Sequence, residues 1–275
     1  TRPHSARDIF EMLRSKSLAL AFKPFALGVR IEHPQALIDE IQYKQSPRSP
    51  YLPASSYALS CQVDEKGVFS FCMCPGGLVV PAATSPGEIV INGMSLSRRD
   101  SAYANAGTVV SIDERDLDEP AAGNPFAGVA FQAQVERDMY NAGDGSQKAP
   151  AQRLVDFLAG KLSPNLPDSS YIPGLYAVPL HQLLPDFVYQ HLRRAIPQFE
   201  HKMRGYVTRD AVVIGTESRT SSPIRIPRHA ESLMHPDLIG LFPCGEGAGY
   251  AGGIVSAAMD GQRVARAVTR HLRQP

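Results

Sequence analysis

The chain has 275 residues, 43% hydrophobic and 20% charged, with a formal net charge of +1. That is ordinary globular composition, long enough for one large domain or two smaller ones. A near-neutral balance gives no electrostatic reason to expect nucleic acid or a membrane surface as partner, and no apolar run approaches the roughly 18–20 residues of a membrane span. Cys61, Cys72, Cys74 and Cys244 are too scattered for a disulfide framework or a zinc pattern, no signal-peptide pattern opens the chain, and the expected location is cytoplasmic.

In chain order, residues 5–16 read as a helix opened by Ser5 as N-cap, with Asp8 three positions on. A chain that opens directly into a helix is expected to be a fragment of something longer. Ala19 to Ile31 alternates like a strand, a short helix follows over 36–41, and the prolines of 45–53 mark a surface connection. Tyr57–Val63 and Val68–Cys74 form an expected β-hairpin around a four-residue turn, Asp64 to Gly67. Strands at 76–80, 88–92 and 108–112 complete a mostly antiparallel sheet over residues 19–112, with 97–105 as a loop or single helical turn. Helices are expected at 126–140, 151–162 and 183–199, then a strand at 209–214. The extended polar segment Glu217 to Ile226 follows, where Pro223 argues against a central, fully paired strand.

The most informative stretch is Leu241 to Gly261. The apolar run Leu238–Phe242, expected as a strand, leads into five glycines within nine residues, Gly245 to Gly253. A helix pattern follows, with Ile254, Ala257, Ala258, Gly261, Val264, Val268 and Leu272 at helical spacing. Glycines there let a backbone approach a phosphate or an electron-rich cofactor, and a helix N-terminus aims partial positive charge at it. The candidate binding set is Gly245, Glu246, Gly247, Ala248, Gly249, Tyr250, Gly252, Gly253 and Ile254. The alternative is a tight strand-to-helix turn built of small residues.

Two further groups stand out. Cys72 and Cys74, two apart on a strand, share a face; they read as small buried hydrophobes or as a redox pair, against which strand geometry speaks. The segment Arg219-Thr-Ser-Ser-Pro-Ile-Arg225 reads as exposed and carries two guanidiniums and three hydroxyls. It suits either a carboxylate or phosphate clamp or a solvated crossover between domains. The histidines show no metal spacing, no metal site is expected, and no hydrolase or phosphate-loop pattern occurs.

The blocks Phe242-Pro-Cys-Gly-Glu-Gly-Ala-Gly-Tyr-Ala-Gly-Gly-Ile254 and Ala258-Met-Asp-Gly261 resemble the C-terminal flavin motif of the uncharacterised FAD-dependent dehydrogenase family. That family is related to the glutathione-reductase-type flavoproteins. The resemblance runs over nearly the whole chain, through His4-Ser-Ala-Arg-Asp8, Phe10-Glu-Met-Leu13, Lys23 to Pro34, Ser70 to Gly77, Asn92-Gly-Met-Ser95 and Arg219 to Arg225. It implies FAD as cofactor. It implies that Glu246 binds ribityl or phosphate-proximal oxygens and that the helix starting near Gly252–Ile254 points at the flavin pyrimidine edge. It also implies that His4 and Arg7 lie near the cofactor, that the Cys72–Cys74 block lies towards the flavin face, and that Arg219 orients substrate. The family's N-terminal Gly-x-Gly-x-x-Gly turn does not occur here, so this chain is expected to bind FAD weakly or not at all.

The expected fold is α/β with an α+β insert. Residues 1–19 and 211–275 would be the remnant of a three-layer FAD-binding domain, and residues 20–210 a substrate domain of mostly antiparallel sheet and helices. The expected function is FAD-dependent oxidoreduction of an unidentified small molecule, with NAD(P)H as a candidate electron donor. The competing expectation is a non-catalytic partner-binding module with a structural glycine loop.

Overall fold

A computed structural model describes residues 5–118 and 123–273; His4 lies outside the described residues. The first elements are α1 (Arg7–Ser15), β1 (Ala21–Phe22), β2 (Phe25–Pro34), α2 (Gln35–Tyr43), β3 (Ser60–Val63), β4 (Lys66–Cys74), β5 (Leu78–Pro81), β6 (Ile91–Met94) and β7 (Tyr103–Ile112). Then come α3 (Ala127–Asn141), β8 (Ala149–Arg153), α4 (Leu154–Ala159), β9 (Leu175–Ala177), α5 (Leu180–Leu183) and α6 (Asp186–Lys202). The last are β10 (Val212–Glu217), β11 (Ile224–Arg225) and α7 (Ile254–Leu272). No helix among the described residues is long and apolar enough to cross a membrane.

The fold is mixed, with a seven-stranded sheet in the order β3-β4-β7-β2-β10-β8-β9 and helices packed on it, an α+β arrangement. The β8–β9 pair is parallel, while β3–β4, β4–β7, β2–β10 and β10–β8 run antiparallel. The sheet therefore reaches well beyond residue 112, and β5–β6 and β1–β11 stand apart as two-stranded ribbons. The ribbon β11 begins directly after Pro223, where a missing N–H donor costs least.

The chain divides into two compact units, one from the described residues of Thr1–Phe25, Ile112–Gln132 and Arg219–Pro275, the other from Ala26–Ser111 and Ala133–Ser218. The sequence places its boundaries at 19/20 and 210/211.

In the larger unit β2 is central, and from Ala26 to His33 it is buried at every position, as a strand covered on both faces must be. A Cβ on Gly28 would lie 2.2 Å from the Thr108 carbonyl oxygen, so only glycine lets β2 and β7 approach there. Helix α6 buries Val188, Tyr189, Leu192, Ala195, Ile196 and Phe199, the spacing of one helical face. Helix α4 stops at Gly160, whose φ of +63° serves as a left-handed cap.

In the smaller unit, Phe10 and Leu13 of α1 pack in one cluster with Phe126, Ile224, Ile226 and Ala248. Leu233 packs with Val264 and Ala267 of α7 in a second. Gly128 admits Phe22, Phe25 and Pro223, each about 3.0 Å from where a Cβ would stand.

Several local expectations need correction. Ala6, with no side-chain cap bond, holds the N-cap of α1, so Ser5 does not open the helix. The β3–β4 turn has two residues, because Val63 pairs with Lys66 and Asp64 takes a left-handed φ of +50°. Residues 103–105 belong to β7, where Ala104 and Asn105 are buried. Residues 151–153 extend β8 alongside β10, a pairing that overrides their helical spacing. Residues 238–242 form no strand: Gly240 turns the chain with φ +84°, Pro243 removes a donor, and Ile239 is 82% exposed.

Candidate functional site

The glycine run therefore enters α7 from a turn. Gly245 (φ +73°) opens a 3-10 turn over Glu246–Ala248, and Gly249 (φ +83°) closes it. The Gly249 N–H donates to the Glu246 carbonyl over 2.9 Å, and the Tyr250 N–H to that of Gly245 over 3.0 Å. A Cβ on Gly249 would sit 3.0 Å from the Ile224 carbonyl oxygen, so this glycine is required by both φ and space.

Gly252 and Gly253 differ. A Cβ on Gly252 would meet nothing within 4 Å, and one on Gly253 only the Ser256 hydroxyl at 3.8 Å. Gly253 is extended (φ −172°), a conformation open to any residue. Both precede the first turn of α7, which has no side-chain cap bond and where Ile254 is 92% and Val255 73% exposed.

A buried charge pair braces this loop. The Arg228 guanidinium grips the Asp260 carboxylate with both amino groups, at 2.7 and 3.0 Å, and Arg228 also donates to the Pro243 carbonyl at 2.7 Å. Asp260 accepts the Gly245 N–H at 2.8 Å, which ties the start of the turn to the second turn of α7. Tyr250 lies under Arg228, 3.7 Å from guanidinium carbon to ring centre, with Arg225 at 5.4 Å. The Arg228 hydrogen bonds hold the Asp260 carboxyl below its usual range. Burial pushes the Cys244 thiol up, and the Asp260 charge adds to this.

Glu246 is half-buried and within electrostatic reach of Lys23, whose amine donates to Ser221 at 3.3 Å. Burial and then Arg225 lower the Lys23 pKa, with Glu246 opposing. Arg219, expected to be exposed, is 8% exposed, and Thr220 and Ser222 are buried with it. These three carry their polar groups inward, where each must be satisfied by a partner, while Arg225 is exposed.

In the larger unit, sequence reasoning did not single out Arg30. Its guanidinium, fully buried, donates to Glu217 at 2.8 Å, to Asn105 Oδ1 at 2.7 Å, to the Cys72 carbonyl at 3.2 Å and to Asn92 Oδ1 at 3.4 Å. Gly93 makes room for it, since a Cβ there would stand 2.1 Å from Arg30 Nη1. Three of the quoted blocks, 23–34, 70–77 and 92–95, meet at this one side chain. The available signal was an arginine within an apolar strand, which needs a buried partner to stay charged. Among the described residues no group of three or more His, Cys, Asp or Glu is placed to hold a metal.

The chain matches the family described as FAD-dependent protein, C-terminal domain-like, over residues 24–220. It belongs to that family. The matched span contains the whole of the larger unit and stops short of the glycine loop. The chain is also 42% identical, over 276 aligned positions, to a protein of Clostridium beijerinckii described as an uncharacterized protein. The alignment covers 99% of this chain and 51% of the relative, so the chain spans about half the length of the relative it matches.

Proposed function

We propose that the chain contributes the flavin-ring side of an FAD-dependent oxidoreductase acting on a small-molecule substrate in the cytoplasm, with NAD(P)H as electron donor. When bound, FAD supplies hydride chemistry that no amino-acid side chain offers. Residues 1–19 and 211–275 would belong to the FAD-binding domain, and residues 20–210 to the substrate domain. The observation that carries the reading is the open space at Gly252 and Gly253. Neither backbone conformation nor packing within the chain calls for glycine there, and a ligand lying close against the backbone does. Membership in an FAD-dependent family supports the identity of that ligand.

In this reading Gly245, Gly247, Ala248 and Gly249 shape the turn. Tyr250, held by Arg225 and Arg228, walls the loop. Glu246 accepts hydrogen bonds from ribityl hydroxyls. The N-terminus of α7, from Gly252 and Gly253 to Ile254, turns its N–H groups and partial positive charge towards the ring edge that gains electrons. Arg219 acts by positioning substrate. This chain alone binds FAD weakly, because the glycine turn that would hold the adenine end does not occur in it.

The test is titration of the chain with FAD followed by flavin fluorescence, for the parent and for Gly252→Val and Gly253→Val. We expect weak binding that either valine lowers at least about tenfold while the melting temperature stays put, since each new side chain enters open space. Binding that is indifferent to both substitutions would overturn the reading.

A further inference from the structure

A regular strand holds residues i and i+2 on one face with their Cβ atoms roughly 6.8 Å apart, well beyond the ~3.5–4.5 Å that a disulfide needs. Strand β4 is not regular at its cysteines. Phe71 pairs with Gly107 and Cys74 with Asn105, so β4 carries one more residue than β7 across this step. That is a β-bulge, and Cys72 occupies it with a left-handed φ of +45°. A non-glycine residue in that region is held at a local cost of about 1–2 kcal/mol and needs a reason.

The bulge folds Cys74 back on Cys72. The Cys74 thiol lies 3.3 Å from the Cys72 carbonyl, and the two thiols shift each other's pKa in opposite directions. Cys74 is buried and Cys72 exposed, so solvent reaches the pair from the Cys72 side. Behind them stands Arg30, a permanent buried cation whose Nη1 donates to the Cys72 carbonyl. We propose that Cys72 and Cys74 form a dithiol–disulfide couple, with Cys72 as the attacking sulfur and a low-molecular-weight disulfide as the oxidising substrate.

The pair holds one proton between two sulfurs. The hydrogen bond from Cys72 and the Arg30 charge hold Cys74 down to about 6 against the effect of burial, while Cys72 keeps its proton well above the ordinary thiol range. Reaction starts as that proton passes from Cys72 to Cys74 and the Cys72 thiolate attacks a sulfur of the incoming disulfide RSSR. The RSSR bond breaks, a Cys72–SR bond forms, and RS⁻ leaves with the proton from Cys74. The Cys74 thiolate then attacks Cys72 Sγ and expels the second RS⁻. In sum Cys72–SH, Cys74–S⁻ and RSSR give the Cys72–Cys74 disulfide, RSH and RS⁻. The dithiol loses two electrons and RSSR gains them. The couple requires no flavin, so it stands or falls separately from the reading of the glycine loop.

The experiment uses the whole chain, reduced, freed of reductant and exposed at pH 7 to oxidised glutathione, then acid-quenched, alkylated and mapped by mass spectrometry. We expect an internal Cys72–Cys74 disulfide forming about tenfold or more faster than any glutathione adduct on Cys61 or Cys244, whose thiols burial holds in the protonated form. Cys74→Ser should stop the reaction at a stable glutathione adduct on Cys72. Cys72→Ser should leave Cys74 unmodified. Parent protein that forms no internal disulfide, or forms one no faster than Cys61 or Cys244 reacts, overturns the proposal whatever the variants do. Cys74 reacting in Cys72→Ser as fast as Cys72 does in the parent overturns the assigned order of attack.

Discussion

Arg30 Nε donates to Glu217 Oε2 across 2.8 Å, with 0% and 2% of the two side chains exposed. Taking two charges out of water costs several kcal/mol each, and only their mutual attraction and further hydrogen bonds offset that. Burial pushes the Glu217 carboxyl up, and Arg30 brings it part of the way back. Arg30→Met, which strands Glu217, should therefore lose about 3–5 kcal/mol in urea unfolding. Arg30→Met with Glu217→Leu should recover much of that loss. A coupling energy below about 1 kcal/mol in the double-mutant cycle would mean the two charges stand independently.

The same physics applies to the brace of the glycine loop, with a local readout. Asp260→Ala leaves Arg228 without its carboxylate and Gly245 without its acceptor, and should cost about 3 kcal/mol. Amide exchange at Gly245 should rise along with it. Asp260→Asn, which keeps the shape and loses the charge, should cost less. If exchange at Gly245 is unaffected in both variants, Asp260 does not hold the turn.

A buried histidine contributes to the acid limb of stability. His33 Nε2 donates to the Tyr206 carbonyl at 2.8 Å, while Nδ1 has no hydrogen-bond partner among the described residues. Burial lowers its pKa from the ordinary 6.5 to about 4, with the Tyr206 carbonyl opposing. A depressed value means the folded state excludes the proton, so the contribution is complete above pH 6.5 and is lost as pH falls towards 4. The size is on the order of 3 kcal/mol. Unfolding midpoints at pH 7 and pH 4.5 should differ by less in His33→Gln, which keeps a donor and cannot titrate. An equal acid sensitivity in that variant would place the titrating group elsewhere.

Legibility followed the range of the interactions. Periodicity found α1, α2, α3, α6 and α7 because a helical face is written in neighbouring residues. It misread 151–153, whose spacing is helical but whose hydrogen bonds go to β10, a partner some sixty residues on in the chain. The run 238–242 has a strand's composition, yet the chain turns at Gly240. The glycine loop was visible as glycines, but composition does not separate Gly249, needed for its backbone, from Gly252 and Gly253, which face open space. The roles of Asp260, Arg228 and Arg30 were invisible because each depends on a partner that only folding brings near. Cys72 and Cys74 were visible as a pair; the bulge that folds Cys74 back on Cys72 was not.

The centre of the seven-stranded sheet also sets an order of events during synthesis. Strand β2 lies between β7 and β10, and its Arg30 is bonded to a residue 187 positions later. The β3–β4 hairpin can zip within microseconds of leaving the ribosome. Strand β2, threaded first, has one long edge unpaired until β10 emerges, roughly ten seconds or more later at ordinary rates of elongation. Over that interval a long unpaired edge and a guanidinium without its carboxylate travel together on the nascent chain, and a chaperone that shields strand edges would find its client there.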